Sequence, residues 1–120
     1  MAYSIRIKRV YEAPSPTDGY RILVDRLWPR GLSRDHAVLD AWMKEIAPSH
    51  ALRRWFAHDP AKWDAIQDKY KAELSTASCI VLINTLLDLA QSQDVTLLIS
   101  AKSDTQNNAV VLRQVLEAQR

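Results

Sequence analysis

Two short apolar runs, Arg21-Ile22-Leu23-Val24 and Val95-Thr96-Leu97-Leu98-Ile99-Ser100, lie far apart in the chain with helical periodicity between them. Neither run alternates apolar with polar residues, which is the pattern of strands buried on both faces in a parallel α/β sheet. A parallel pair needs a long crossover, and such crossovers are right-handed in nearly all cases. Two parallel strands end at the same sheet edge, and open α/β sheets bind their ligands at that edge. This constraint joins Asp25-Arg26-Leu27-Trp28-Pro29-Arg30-Gly31, which follows the first run, to Ser100-Ala101-Lys102-Ser103, which follows the second.

The remaining elements follow from pattern and punctuation. Residues 4–11 alternate as a half-buried strand on or near a sheet edge, with Arg6, Lys8 and Arg9 guarding it. Pro14, Pro16 and Asp18-Gly19 make a turn-rich loop, too short for a helical crossover, so the pairing of the first two strands stays open. The second strand runs from Tyr20 to Leu27 and stops near Trp28, because Pro29 cannot donate to a ladder. Ser33 caps a helix whose stripe is Val38, Leu39, Trp42, Met43 and Ile46. Ser49 caps a short helix carrying Leu52, Trp55 and Phe56. Asp59-Pro60 opens the next, which aligns Trp63, Ile66, Tyr70 and Leu74. The length and spacing of residues 79–90 favour a helix. Ser103-Asp104-Thr105-Gln106 has the form of a capping box before a last helix with Val111, Leu112, Val115 and Leu116 on its apolar face. The expected fold is α/β: a small, mainly parallel sheet of about three strands surrounded by about five helices, forming one compact domain over residues 1–120.

Composition narrows the function classes. The chain is 48% hydrophobic and 25% charged, ordinary for a soluble globular domain. Its longest apolar run, Cys79 to Ile83, is far short of the ~20 residues a membrane span needs. Ser4 to Val10 alternates and builds no signal-like apolar region. The single cysteine, Cys79, excludes an internal disulfide, so a reducing cytoplasmic location is the expectation. Three scattered histidines and that one cysteine make no ligand cluster, and no metal or cofactor is expected. The net charge is +2, yet residues 1–34 hold seven Lys/Arg against three acids. That basic third points to an anionic ligand, to nucleic acid or to an acidic partner, with a solvated sheet edge as the plain alternative.

The residues after the two strands carry the candidate chemistry. Arg26 and Arg30 supply planar forks suited to carboxylate or phosphate, and Lys102 adds a point charge. A helix starting near Ser103 offers free N–H groups, and Asn107 a polar positioning group. Asp25 beside these cations is expected to be ionised, as an orienter or base. The structural alternative has Asp25 paired with an arginine, locking the corner. Trp28 lies among the charges, able to stack on a ring or to cover the corner. Trp42, Trp55 and Trp63 fall on apolar helix stripes and belong to the core. His58, in His58-Asp59-Pro60, is a weaker catalytic candidate than a locally satisfied helix-end residue.

Asp25 to Gly31 also reads DRLWPRG, and on that heptapeptide the chain resembles the DUF488 family, in its short YeaO-like group. Ala47-Pro48-Ser49, Leu52-Arg53, Trp55-Phe56, His58-Asp59-Pro60, Tyr70, Glu73-Leu74, Thr96-Leu97-Leu98, Ala101-Lys102 and Asn107 to Leu112 resemble its other motifs in order, over nearly the whole chain. The resemblance implies a small bacterial or archaeal α/β protein and no established activity. Gln106-Asn107-Asn108 stands where relatives often have a His-Asn-His-like run, which removes imidazole chemistry there. Ser100-Ala101 stands where distant relatives often have cysteine, which argues against thiol chemistry. The expected function is recognition of a small anionic, phosphate-bearing ligand, extending to hydrolase or transferase chemistry. The competing readings are a nucleic-acid-associated module using the basic N-terminal third, and a purely structural interaction protein. The oligomeric state is not legible.

Overall fold

A computed structural model describes residues 3–120. Among them, β1 (Ile5–Arg9), β2 (Tyr20–Leu23), β3 (Ala41–Trp42) and β4 (Val95–Ile99) form one sheet, all parallel, in the order β1-β4-β2-β3. The first strand therefore pairs with the last, Ile5 opposite Val95 and Arg9 opposite Ile99, and never meets the second. All five residues of β4 are buried because it lies between two neighbours and under both faces. β1 sits at an edge, as its alternation and its cations require.

The helices are α1 (Arg34–Ala37), α2 (His50–Phe56), α3 (Trp63–Leu74), α4 (Ala77–Leu89) and α5 (Asn108–Ala118). Leu52 of α2, Ile66, Tyr70 and Leu74 of α3, Ile83 and Leu86 of α4, and Val111, Leu112 and Leu116 of α5 pack with Ile5, Ile22, Leu97 and Ile99 in the main core. The opposite face has a smaller apolar cluster, in which Val10, Leu23 and Leu98 meet Trp28, Leu32, Leu39 and Trp42. Beside it lies an ionic cluster. The Asp18 carboxylate, in a residue 3% exposed, accepts from Lys8 and from the buried Arg21, whose guanidinium also donates to the Ala37 and Val38 carbonyls.

Three expectations need correction. The helix from Ser33 through Ile46 lasts only as far as Ala37, although Ser33 does cap it, accepting from the His36 N–H. The chain then passes through Val38 at φ 49° and becomes β3, a fourth strand. The outer edge of β2 decides this: Asp40 N–H donates to the Arg21 carbonyl and Met43 N–H to that of Leu23, both at 2.9 Å. A helix would leave those acceptors unpaired. The expected stripe is in fact split across the sheet, with Leu39 and Trp42 in the small cluster and Met43 and Ile46 against the main core.

Second, β2 ends at Leu23 rather than near Leu27, because side chains replace the ladder beyond Val24. Third, the last helix is capped by Asn107, not Ser103. The Asn107 side chain accepts from the Val110 N–H, while Ser103 Oγ accepts from Gln106 N–H in the preceding turn. The helix expected over 79–90 is present as α4, and Asp59 caps the turn into α3 by accepting from Ala61 N–H. Among the described residues no single helix is long and apolar enough to cross a membrane.

Candidate functional site

Because β2 and β4 run parallel, their exits open into one cavity of about 650 Å³. All the residues singled out from sequence line it: Asp25, Arg26, Trp28 and Arg30 from the first exit, Lys102, Ser103 and Asn107 from the second, and His58 from the wall opposite. The two halves are bonded together. Ser100 donates its N–H and its hydroxyl to Asp25 Oδ2, each at 2.8 Å, and Asn108 Nδ2 donates to the Val24 carbonyl at 2.9 Å. Trp42 Nε1 donates to the Asp25 carbonyl at 2.7 Å, so the residue is fixed through its backbone as well as its carboxyl group.

The environment of Asp25 shifts its carboxyl in the direction opposite to the one neighbouring cations alone would give. Burial pushes its carboxyl above the ordinary value of 3.8, against the opposing pull of hydrogen bonds from Ser100 and Asn108 and the more distant charge of Arg53. No ion pair joins it to Arg26 or Arg30 among the described residues, so the corner is not the locked Asp–Arg pair of the structural alternative.

The cations divide into two kinds. Arg26 donates through Nε to the Pro48 carbonyl at 3.0 Å and through Nη2 to that of Ala47 at 2.9 Å, which anchors the segment entering α2. Its Nη1 makes no hydrogen bond among the described residues. The guanidinium of Arg30 and the ammonium of Lys102 are exposed and make neither hydrogen bonds nor ion pairs among the described residues. The Arg30 backbone is fixed all the same: its carbonyl accepts from Tyr11 Oη at 2.9 Å. Arg53 on α2 completes the cationic lining.

Trp28, Ser103 and Asn107 are largely occupied by the fold. Trp28 Nε1 donates to the Leu32 carbonyl at 2.7 Å, its ring meets Trp42 edge-on at 5.4 Å, and the Arg34 guanidinium lies 4.4 Å from its centroid. It covers the corner, one of its two expected roles. Asn107 Nδ2 donates to the Ser103 carbonyl at 2.8 Å, which shapes the loop after β4. His58 follows Ala57, and both take left-handed backbone, φ 47° and 56°. Two such residues in succession carry the chain back over Phe56, 6.0 Å from the imidazole, and set His58 on the cavity wall.

Sequence reasoning missed the apolar wall and one cation. Phe56, Trp63, Ile66, Tyr70 and Val111 line the cavity, although all five read as core residues of helix stripes. Tyr70 is buried, its hydroxyl donates to the Ile46 carbonyl at 2.7 Å, and burial raises its phenol well above 10.0. Arg53 carried a usable signal, since it stands beside the apolar Leu52 in a short helix that must return to the sheet edge. Among the described residues no group of three or more His, Cys, Asp or Glu side chains is placed to hold a metal.

The family model that matches spans residues 4–120 and is described as the inactive DUF488-N3 subclade. The chain belongs to the DUF488 family. It is 44% identical over 115 residues to the uncharacterized protein YeaO of Escherichia coli (strain K12), covering 96% of this chain and 98% of that one. It is 35% identical over 112 residues to the uncharacterized protein Rv3073c of Mycobacterium tuberculosis (strain ATCC 25618 / H37Rv), covering 93% and 92% of the two chains. Mb3100c of Mycobacterium bovis, also uncharacterized, matches to the same extent. No solved structure gives a significant match. The DRLWPRG signature of this DUF488 chain is thus the first exit of the cavity, and Ser100 to Asn108 is the second.

Proposed function

We propose that this DUF488 protein binds a small anionic ligand in the cavity at the carboxyl edge of its sheet. The observation that carries the reading is the mismatch of charge there. Four cations, Arg26, Arg30, Arg53 and Lys102, line a cavity that holds one carboxyl group, Asp25, and none of the four is ion-paired among the described residues. Like charges brought together without a counter-ion repel, and an anion relieves that cost. A volume of about 650 Å³ falls within the range of about 300–1,000 Å³ typical of small-molecule sites.

The subclade's description as inactive favours binding without turnover over the hydrolase or transferase extension. The nucleic-acid reading rests on the basic N-terminal third, and much of that charge has a structural occupation. Lys8 and Arg21 bond Asp18, Arg6 bonds the Thr17 carbonyl, and Arg9 holds the Ser100 and Ala101 carbonyls.

The test is a panel of inorganic phosphate, pyrophosphate and small phosphate esters read by thermal shift and calorimetry. A bound anion at about 100 times its dissociation constant stabilises the fold by roughly 2.7 kcal/mol. Arg30→Ala, Arg53→Ala and Lys102→Ala should each weaken that response while leaving the unliganded melting temperature nearly unchanged. No response across the panel, or one indifferent to all three substitutions, defeats the reading.

A further inference from the structure

The cavity offers more than positive charge. Its lining presents three separate chemistries, and each rejects ligands that the others admit. The aromatic wall is formed by Phe56 and Trp63, tilted at 48° and 6.1 Å apart, with the buried Tyr70 behind them. Such a wall favours a flat, apolar ring and gives nothing to a bare phosphate or a sugar phosphate. The cations Arg30, Arg53 and Lys102 favour an anionic group and give nothing to a neutral aromatic.

The third chemistry is the carboxyl of Asp25. Both of its Ser100 hydrogen bonds fall on Oδ2, and neither uses Oδ1. Asp25 lines the cavity, and a partly desolvated carboxyl whose Ser100 bonds occupy one oxygen can take an N–H or O–H donor on the other. An aryl carboxylate or aryl phosphate would fill the wall and the cationic end yet bring no donor to Asp25. A ring that carries N–H groups on its edge, joined through a sugar to phosphate, meets all three demands.

From this juxtaposition we infer that the ligand is a nucleoside phosphate whose base presents N–H donors, with the base on the partly exposed Phe56 and Trp63 rings, its edge at Asp25, and the phosphate at Arg30, Arg53 and Lys102. The inference rests on the anion-binding reading and narrows it to one ligand class. Among common bases, guanine places two neighbouring N–H donors on one edge, and both can converge on the one carboxyl oxygen that Ser100 leaves over. The assignment of Asp25 to the base also separates its role from that of the cations: removing Asp25 should change which base is preferred, while removing a cation should weaken all phosphates alike.

The experiment is calorimetry on the full chain with inorganic phosphate, ribose 5-phosphate, guanosine, and the 5′-monophosphates of guanosine, adenosine, cytidine and uridine. The expected result is that guanosine monophosphate binds at least roughly tenfold more tightly than ribose 5-phosphate, the increment of one stacked base. Trp63→Leu should remove most of that increment without changing affinity for ribose 5-phosphate. Asp25→Asn should abolish the preference for the guanine base while phosphate binding persists. Equal affinity for ribose 5-phosphate and all four nucleotides overturns the inference and leaves the anion site standing. Failure of every phosphate compound to bind overturns both. Retention of base preference in both variants overturns the placement of the base. Circular dichroism and thermal unfolding of each variant establish that it is folded, and Trp63→Phe serves as the conservative control.

Discussion

Asp25 and Ser100 stand 75 residues apart in sequence and are joined by two hydrogen bonds of 2.8 Å at the carboxyl edge of the sheet. The backbone bond takes the place that the next rung of the β2–β4 ladder would occupy. A carboxyl group with a raised titration point thus closes the sheet at the mouth of a cationic cavity.

That relationship has a sign that can be measured. The folded-state carboxyl of Asp25 lies above its ordinary value of 3.8, so the group favours the fold when protonated. Its contribution is whole below the unfolded value and fades as pH rises through the folded one. Asp25→Asn should therefore be as stable as the native chain, or more so, at neutral pH, as read by denaturant midpoint. Ser100→Ala should cost about 1 kcal/mol, the net value of one hydrogen bond. A loss of several kcal/mol in Asp25→Asn would mark Asp25 as a structural group and remove it from the site.

Asp18 predicts the opposite pH dependence. Burial alone would raise its carboxyl, but hydrogen bonds from the Ser15 N–H, Lys8 and Arg21, with the charge of Lys8, outweigh burial and hold it below 3.8. A depressed folded value stabilises the fold above the unfolded value and is lost as pH falls through the folded one. Asp18→Asn leaves the buried Arg21 guanidinium without its counter-charge and should cost about 3–5 kcal/mol at neutral pH. Denaturant titrations across the acid range should show a shallower loss of stability in Asp18→Asn than in the native chain.

Backbone geometry gives two further expectations of opposite sign. Val38 ends α1 at φ 49° with a branched, half-exposed side chain, a conformation glycine adopts without strain. Val38→Gly should raise stability by about 1 kcal/mol. Gly19 sits at φ 65° with no room for a side chain, since a Cβ there would collide with the Asp94 carbonyl and Cβ. Gly19→Ala should cost more than about 3 kcal/mol, or prevent folding, because the obstacle is backbone held by Tyr20 N–H at 2.9 Å. Thermal unfolding of both variants checks the pair.

Asn107 isolates the loop from the ligand. Its side chain caps α5 through Val110 N–H at 3.0 Å and holds the Ser103 carbonyl at 2.8 Å. Asn107→Ala should cost about 1–2 kcal/mol, a lost cap in a buried position. Asn107→Asp keeps the accepting oxygen and should recover part of that loss. If Asn107→Ala is neutral in thermal unfolding, the cap does not hold the loop.

Local pattern was enough for α3 and α4, whose apolar positions recur on one face, and for β4, whose run has no polar interruption. It was also enough to place Asp25 and Lys102 at one sheet edge, because that placement requires only that two strands be parallel. It failed over residues 38–46, where Leu39, Trp42, Met43 and Ile46 fit a helix as readily as a chain crossing a sheet edge. The demand of the Arg21 and Leu23 carbonyls for partners settled that choice, and those partners are invisible until β2 has an outer edge. The direction of the Asp25 shift was not legible for a similar reason, since neighbours in sequence supply cations while burial is set by the whole fold.

The sequence by itself determined the parallel α/β class, the meeting of the two strand exits at one sheet edge, and the family, which DRLWPRG spells out. These depend on local periodicity and on one topological rule, and neither needs the packing of distant residues. Only the tertiary structure decided which cations are spent on backbone carbonyls and which stay open, that Phe56, Trp63 and Tyr70 turn a core stripe into a cavity wall, and that Asp25 pairs with Ser100 rather than with an arginine. Those are competitions among groups distant in sequence for the same partners and the same space, and the winner depends on distances that no local pattern encodes.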